Sequence, residues 1–353
     1  MERGYIRIKP FGGLFFGKGR PFNMGDETWT EAELLPPPGV VWGALFSQLW
    51  YRDKNTPLDS LKIGKIMVMG ENVTQLYLPA PLDIFSAGET RYHHKFYWQE
   101  KEGFLHWNGD KNVLLKPETE EDVESPEQEL LSASSLKAYA GADKTFDVNT
   151  SLLNDLVKGE FKIGIARSEE TRVVKEGLLY TVNLAHLGEE YAFLVEAEYS
   201  SNFPEEGVMK MGGEGKLVHF KVIEESSELG RSLNTALRLP EPEDQVGFFK
   251  LYLTTPAPLN ADGIPRFLEG KPFSVEAGVT GKPQLFGGFD LDLRRPKPKE
   301  LLVPAGSVYI LEYRGDSERC TVRRAKELLE CGIYGNGLDQ FEIFPYYGYK
   351  REK

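Results

Sequence analysis

Val40-Val41-Trp42-Gly43-Ala44-Leu45-Phe46-Ser47-Gln48-Leu49-Trp50-Tyr51 carries apolar residues at 40, 41, 44, 45 and 49, the spacing of one buried helix face. Its neighbours give this helix its meaning. Upstream, Tyr5–Phe11 alternates as a strand does, and a long Gly/Pro-rich loop fills 12–39. Downstream, Lys65–Met69 and Val73–Leu78 read as two strands around a turn at 70–72. Strand, helix, strand, strand is the opening of a ferredoxin-like βαββαβ unit.

The rest of the chain is less regular until a second unit begins near Val246. Phe96–Leu115 suggests a hairpin turning at 101–103, and 117–129 an acidic, solvated insertion. Phe161–Arg167 and Gly177–Leu187 read as the arms of a long hairpin with a charged tip. Tyr191–Tyr199 is a strand, Val208–Val222 a Gly-rich turn followed by a strand, and Ser226–Arg238 a helix between domains. In the second unit Phe248–Thr254 and Gly306–Tyr313 are strands, and 271–304 is Gly/Pro-rich and irregular. Ser317–Cys331 is a helix with Ser317 as N-cap and Gly332 as its stop, and Gln340–Phe344 is the last strand. The reading is an α+β protein of two domains, 1–224 and 225–353.

Composition agrees. A chain of 353 residues suits two domains of about 100–200 residues each, and 41% hydrophobic residues suits a soluble globular protein. No apolar run approaches the ~20 residues of a membrane helix. Met1-Glu2-Arg3-Gly4 has no signal core, so a cytoplasmic location and no membrane partner are expected. Cys320 and Cys331 match no zinc spacing and read as packing residues; no cluster has metal-ligand spacing, and no cofactor is expected. The net charge of −12 argues against a large non-specific nucleic-acid surface. Much of that charge sits in one tract without an intervening base: Glu118, Glu120, Glu121, Asp122, Glu124, Glu127 and Glu129. The remainder permits a short, defined RNA segment held largely by backbone amides.

Two Gly-rich loops could supply such amides. Met211-Gly212-Gly213-Glu214-Gly215-Lys216 precedes a strand, and Gly332-Ile333-Tyr334-Gly335-Asn336-Gly337 links a helix to a strand. Glycine tolerates positive φ and removes bulk, so successive N–H groups can converge on an anion. A tight turn explains either loop as well. Neither loop runs from a strand into a helix with a Gly-x-x-x-x-Gly-Lys-Ser/Thr pattern, which argues against nucleotide binding through them.

Four stretches carry a family resemblance. They are Pro36-Pro37-Pro38-Gly39-Val40-Val41-Trp42-Gly43-Ala44-Leu45; Ile163-Gly164-Ile165-Ala166-Arg167 with Glu176-Gly177-Leu178-Leu179-Tyr180; Gly212-Gly213-Glu214-Gly215; and Gly278-Val279-Thr280-Gly281-Lys282-Pro283 through Gly287-Gly288-Phe289-Asp290 and Arg295-Pro296-Lys297-Pro298 to Val303-Pro304-Ala305-Gly306-Ser307-Val308-Tyr309. Through them the chain resembles the RAMP superfamily of CRISPR-associated proteins, and within it the third-subunit family of the type III-B (Cmr) effector. The resemblance implies two ferredoxin-like (RRM-like) domains with large insertions, a β-hairpin thumb at about 161–187 and a C-terminal Gly-rich loop at 332–337. It implies a non-catalytic subunit that holds the 5′ handle of the guide RNA (crRNA). Its partners would be the large polymerase/cyclase-like subunit and the adjacent backbone RAMP subunit, with target RNA met indirectly. Gly335–Asp339 departs from related loops in carrying no basic residue.

Candidate RNA contacts follow. Lys18 and Arg20 are flanked by Phe15, Phe16 and Phe22, and mixed aromatic and cationic side chains suit single-stranded RNA. Arg167, Arg172, Val173 and Lys175 surround the hairpin tip. Gly212, Gly213, Gly215 and Lys216 form the first loop, and Tyr334 and Asn336 belong to the second. Lys282, Arg294 and Arg295 lie in the Pro-spaced stretch. Each basic cluster also reads as solvated surface. His93-His94, beside Arg91 and Lys95, is the best case for the rival activity, metal-independent cleavage of guide-RNA precursors with histidine as general acid or base. Nothing else completes such a site, and an exposed pair in a polar loop is the simpler reading. His106, His186 and His219 read as structural.

Overall fold

The computed structural model describes residues 1–17, 29–30, 33–87, 90–93, 129–141, 150–167, 174–287, 289–290, 295–296, 298–333 and 335–346. The N-terminal half runs β1 (Glu2–Pro10), β2 (Trp29–Thr30), α1 (Pro38–Trp50), β3 (Leu61–Met69), β4 (Leu76–Pro79), β5 (Ile84–Ala87), β6 (Thr90–His93), β7 (Glu129–Ser132), α2 (Ala133–Ala140) and β8 (Thr150–Leu152). It continues through α3 (Leu153–Leu156), β9 (Val157–Arg167), β10 (Val174–Leu187), β11 (Ala192–Tyr199), β12 (Glu206–Lys210), β13 (Leu217–Glu224) and α4 (Glu228–Leu237).

Its main sheet has the order β12-β13-β1-β11-β3-β4-β7-β8, and every neighbouring pair is antiparallel. Helix α1 begins where Pro38 tolerates a first turn without an N–H to satisfy. It buries Val41, Ala44, Leu45 and Leu49, as the spacing requires, against Ile6, Ile8, Phe193 and Val195 of the sheet. Each fully buried leucine on that face contributes on the order of 1.5–3 kcal/mol.

The expected second crossover helix of this half is absent. The chain passes from β11 to β13 through the short strand β12, which pairs with β13 as a hairpin. The sequence reading also missed β7, α2 and β8. Helix α2 is capped by Ser132, whose Oγ accepts the Ser135 N–H at 3.2 Å. Glu129, last residue of the expected acidic insertion, is the first residue of β7. Residues 117–128 of that insertion, and the expected hairpin at 96–115, lie outside the described residues.

The C-terminal half contains β14 (Phe248–Leu253), β15 (Ala257–Pro258), β16 (Phe273–Val279), β17 (Gln284–Phe286), β18 (Phe289–Asp290), β19 (Arg295–Pro296), β20 (Glu300–Val303), β21 (Val308–Tyr313), α5 (Val322–Leu328) and β22 (Phe341–Pro345). Its main sheet, β16-β21-β14-β22, is antiparallel throughout. Between β14 and β16 a single 3-10 turn, Arg266–Leu268, stands where a first crossover helix was expected. Strand β16 itself corrects the irregular reading of 271–304. Phe273, Val275, Ala277 and Val279 alternate, but Pro272, Gly278 and Gly281 hid the signal. The expected helix from Ser317 starts later, because Thr321 accepts the Arg324 N–H at 3.2 Å while the Ser317 hydroxyl donates to the Arg319 carbonyl at 2.6 Å.

The two halves share one apolar layer. Tyr5, Met67, Met69, Leu76 and Leu194 pack with Tyr252, Val308 and Phe344. Two ion pairs pin the halves together. Lys250 on β14 lies 2.6 Å from Asp83, which is 0% exposed and also accepts the Tyr139 hydroxyl at 2.6 Å. Burial, and then Asp83, push the Tyr139 hydroxyl well above the ordinary phenol range. Lys65 on β3 lies 2.5 Å from Glu342 on β22. Burial alone would lower the Lys65 pKa, but Glu342 and Glu196 raise it above that of a free lysine. Tyr252 adds a hydroxyl bond to the Pro79 carbonyl.

Candidate nucleic-acid interface

The first Gly-rich loop is the turn of the β12–β13 hairpin, closed by a 3.0 Å bond from the Met211 N–H to the Lys216 carbonyl. Gly212 has φ +77°, and a side chain there would meet the Phe15 carbonyl at 2.5 Å. The Gly213 N–H donates to that carbonyl at 2.9 Å, and a Cβ on Gly213 would meet the Phe15 ring at 2.6 Å. These two glycines therefore serve close approach of the chain's own backbone at Phe15. Gly215, at φ +64°, faces open space, and Lys216 is half-buried beside it.

The long hairpin reaches the same place. Strands β9 and β10 pair from Leu187↔Val157 to Leu179↔Ile165, with a register shift before Val174↔Arg167. Ala185 exchanges backbone hydrogen bonds with Leu14 at 2.9 and 2.7 Å, so the base of the hairpin holds the start of the first loop. Gly13 lacks the Cβ that would strike the His186 ring at 2.2 Å, and His186 Nε2 lies 2.7 Å from a Glu160 carboxylate oxygen. Lys162 on β9 pairs with Glu214 of the Gly-rich turn at 3.4 Å. Phe161 and Ile163 are more than half exposed on the β9 arm. The structure thus joins three features that the sequence treats separately: the Gly212–Lys216 turn, the base of the hairpin and the segment leading into Lys18 and Arg20.

Lys18 and Arg20 themselves, with Arg172, Val173, Arg294, Tyr334 and His94, lie outside the described residues. Arg167 ends β9, Lys175 lies in β10, Arg295 in β19 and His93 in β6. Lys282 is exposed between β16 and β17. His219 is half-buried on β13.

The second Gly-rich loop sits at the other end of the main sheet. Ile63 donates its N–H to the Gly335 carbonyl at 3.1 Å and forms a parallel bridge with Asn336, whose side chain is exposed. A Cβ on Gly337, φ +83°, would strike Ile63 at 2.8 Å. Ile63 is paired with Ala197, and Ala197 with Gly4, near the start of β1; the first loop closes beside Pro10, at its end. Both loops precede the last strand of their half, yet they do not form one cradle. The second loop joins the halves instead. Asp339, which follows it, has φ +60° and a buried carboxylate oxygen, and burial pushes its pKa up to about 6.

Both cysteines are free thiols, and burial raises Cys320 to about 11 and Cys331 to about 12, far from nucleophilic range. Among the described residues no group of three or more His, Cys, Asp or Glu is placed to hold a metal ion. Nor is any described helix long and apolar enough to cross a membrane.

Sequence reasoning missed the Asp83–Lys250 pair that fixes the halves. No signal within either segment announces a contact across 167 residues.

By comparison with known proteins, no curated protein matches the chain. Its fold is similar to that of a chain in the cryo-EM structure of the type III-B Cmr-beta complex bound to cognate target RNA and AMPPnP, with TM-score 0.52, 14% identity, and coverage of 87% of this chain and 86% of that one. A second structure of Cmr-beta bound to cognate target RNA gives 0.51 at 16% identity, with the same coverage. The family model of the CRISPR-associated protein Cas_Cmr3 matches residues 6–341, nearly the whole chain, and so the chain belongs to the Cmr3 family of CRISPR-associated proteins.

Proposed function

We propose that this chain is the non-catalytic subunit of a type III-B CRISPR effector that holds the 5′ handle of the guide RNA and bridges the large polymerase/cyclase-like subunit to the adjacent backbone subunit. The observation that carries the reading is the convergence of the Gly212–Lys216 turn, the hairpin base and the root of the Lys18/Arg20 loop, in a chain of the Cmr3 family. The sheet orders β13-β1-β11-β3 and β22-β14-β21-β16 support two ferredoxin-like units, each keeping one crossover helix. The hairpin β9–β10 is the thumb of this reading. Its exposed Phe161 and Ile163 suit contact with a neighbour, and its tip marks the junction between handle and guide. The buried pairs that lock the halves suit a rigid bridge rather than a moving enzyme.

Reconstitution without this chain tests the proposal. Particles assembled from the other subunits and guide RNA should lose the large subunit and leave the handle open to ribonuclease. A protected handle and a retained large subunit in such particles would contradict it.

A further inference from the structure

One face of the β12-β13-β1 edge is open and basic. Antiparallel partners directly opposite one another share a face. Arg7 is opposite Lys221 and Lys9 opposite His219. Next to them Glu206 is opposite Lys221, Val208 opposite His219 and Lys210 opposite Leu217. The opposite face of the same strands carries the core residues Ile6, Ile8, Val218, Phe220 and Met209. Toward the start of β1 this open face disappears under α4, where the Tyr5 hydroxyl donates to Asn234 at 2.6 Å. Beyond Tyr5, Glu206, Val208, Lys210, Leu217 and Lys221 are exposed, and Arg7, Lys9 and His219 are half-buried between them.

Glu206 offsets Lys221 from one side of this row, but the positive charge on the other side is not fully balanced. Like charges directly opposite in a sheet destabilise it, and here Arg7 faces Lys221. Arg7 Nε is buried with no hydrogen-bond partner among the described residues. Among the described residues Lys9 reaches a backbone carbonyl, that of Glu189. On these three strands beyond Tyr5, the described residues of the face include four cations, Arg7, Lys9, Lys210 and Lys221, and one carboxylate, Glu206, in a chain whose net charge is −12. Large apolar side chains share the patch: Val208 is 51% and Leu217 46% exposed. Phe11, 66% exposed, follows β1 and donates its N–H to the Leu217 carbonyl. Cations repeat about every 6.7 Å along a strand and about 4.8 Å between strands, and the row ends in an exposed aromatic ring. Phosphates need the first feature and an unstacked base the second.

We infer that this face binds the backbone of a single-stranded RNA segment, with Phe11 stacking a base at its end. The inference rests on the reading that the chain binds guide RNA and gives that RNA a path that continues from the Gly-rich turn, flanked by Lys210 and Leu217, along the strands behind it. An acidic protein surface would satisfy the lysines but gives no use for an exposed ring at the end of the row.

The full chain and a fluorescein-labelled oligouridine, followed by anisotropy over a range of KCl, test it. Lys210→Gln with Lys221→Gln should make the slope of log K against log salt shallower by about 1.4, since each phosphate contact on a single strand contributes about 0.7. Phe11→Ala should weaken binding roughly tenfold. Glu206→Gln should tighten it, a gain that misfolding cannot mimic. Unchanged slopes and affinities in these variants, with the wild-type chain binding normally, would overturn this surface alone. No binding by the wild-type chain would overturn the guide-RNA reading with it. Variants that keep RNA affinity but shed a neighbouring subunit from the particle would make the face a protein dock and refute the inference.

Discussion

Lys250→Met isolates what holds the two halves together. Asp83 is fully buried, and Lys250 at 2.6 Å is its counter-charge; without it the neutral Tyr139 hydroxyl would still donate to the carboxylate. Removing one partner of a buried pair leaves an uncompensated charge and costs about 3–5 kcal/mol. Replacing both, in Asp83→Leu with Lys250→Met, removes the stranded charge, and such swaps are often near neutral. The cycle should therefore show a favourable coupling of roughly 2–4 kcal/mol. Urea unfolding of the isolated chain, read by tryptophan fluorescence and far-UV circular dichroism, measures it. Because the pair spans the domain boundary, the single variant should also split one transition into two. A Lys250→Met cost below about 1 kcal/mol, or a double variant as damaged as the sum of the singles, would refute the reasoning.

Other outcomes follow from the same geometry. Gly212→Ala, at φ +77° with the Phe15 carbonyl 2.5 Å from the new Cβ, should cost more than the ~1–2 kcal/mol that left-handed backbone alone imposes, while Gly215→Ala, with open space, should cost only that much in thermal melts. Asp339 has a folded pKa raised to about 6 from 3.8, so its contribution is fully present below pH 3.8 and lost as pH rises through 6; Asp339→Asn should stabilise the chain by up to about 3 kcal/mol at pH 8 and little at pH 4, and an equal effect at both would remove the carboxyl from the account. Replacing Arg172, Val173 and Val174 with a Gly/Ser linker should preserve folding and alter chemical probing of nucleotides at the handle–guide junction; unaltered probing would make the hairpin a protein contact. Incubating the chain with guide precursor in EDTA should leave the precursor intact, whereas cleavage that is lost on His94→Ala would establish the endonuclease reading in its place.

What the sequence made legible was local. The 40, 41, 44, 45, 49 spacing set helix α1, and the stretches from Tyr5 and from Gln340 set β1, inside its sheet, and β22, at the edge of its own. Strand β16 was hidden because Gly and Pro interrupt its alternation, and α2 because its buried face is built partly from Ser135 and alanines. The role of the glycines was only half legible. Composition signals that backbone must come close at 212 and 213, but not whether the approaching atom is an RNA phosphate or the Phe15 carbonyl. The basic face was legible in principle, since Arg7 and Lys9 alternate along one strand with Phe11 just past its end, but its partners Lys210 and Lys221 lie some 200 residues away and meet β1 only through sheet register.

Photocrosslinking tests the central claim most directly. Guide RNA carrying 4-thiouridine at each handle position would be assembled into the complete particle, irradiated, and the adducts mapped to peptides. The account predicts handle adducts on this chain, in peptides covering Phe11–Arg20, the β9–β10 hairpin and the β12–β13 hairpin. Handle adducts confined to other subunits, with none on this chain, would contradict it.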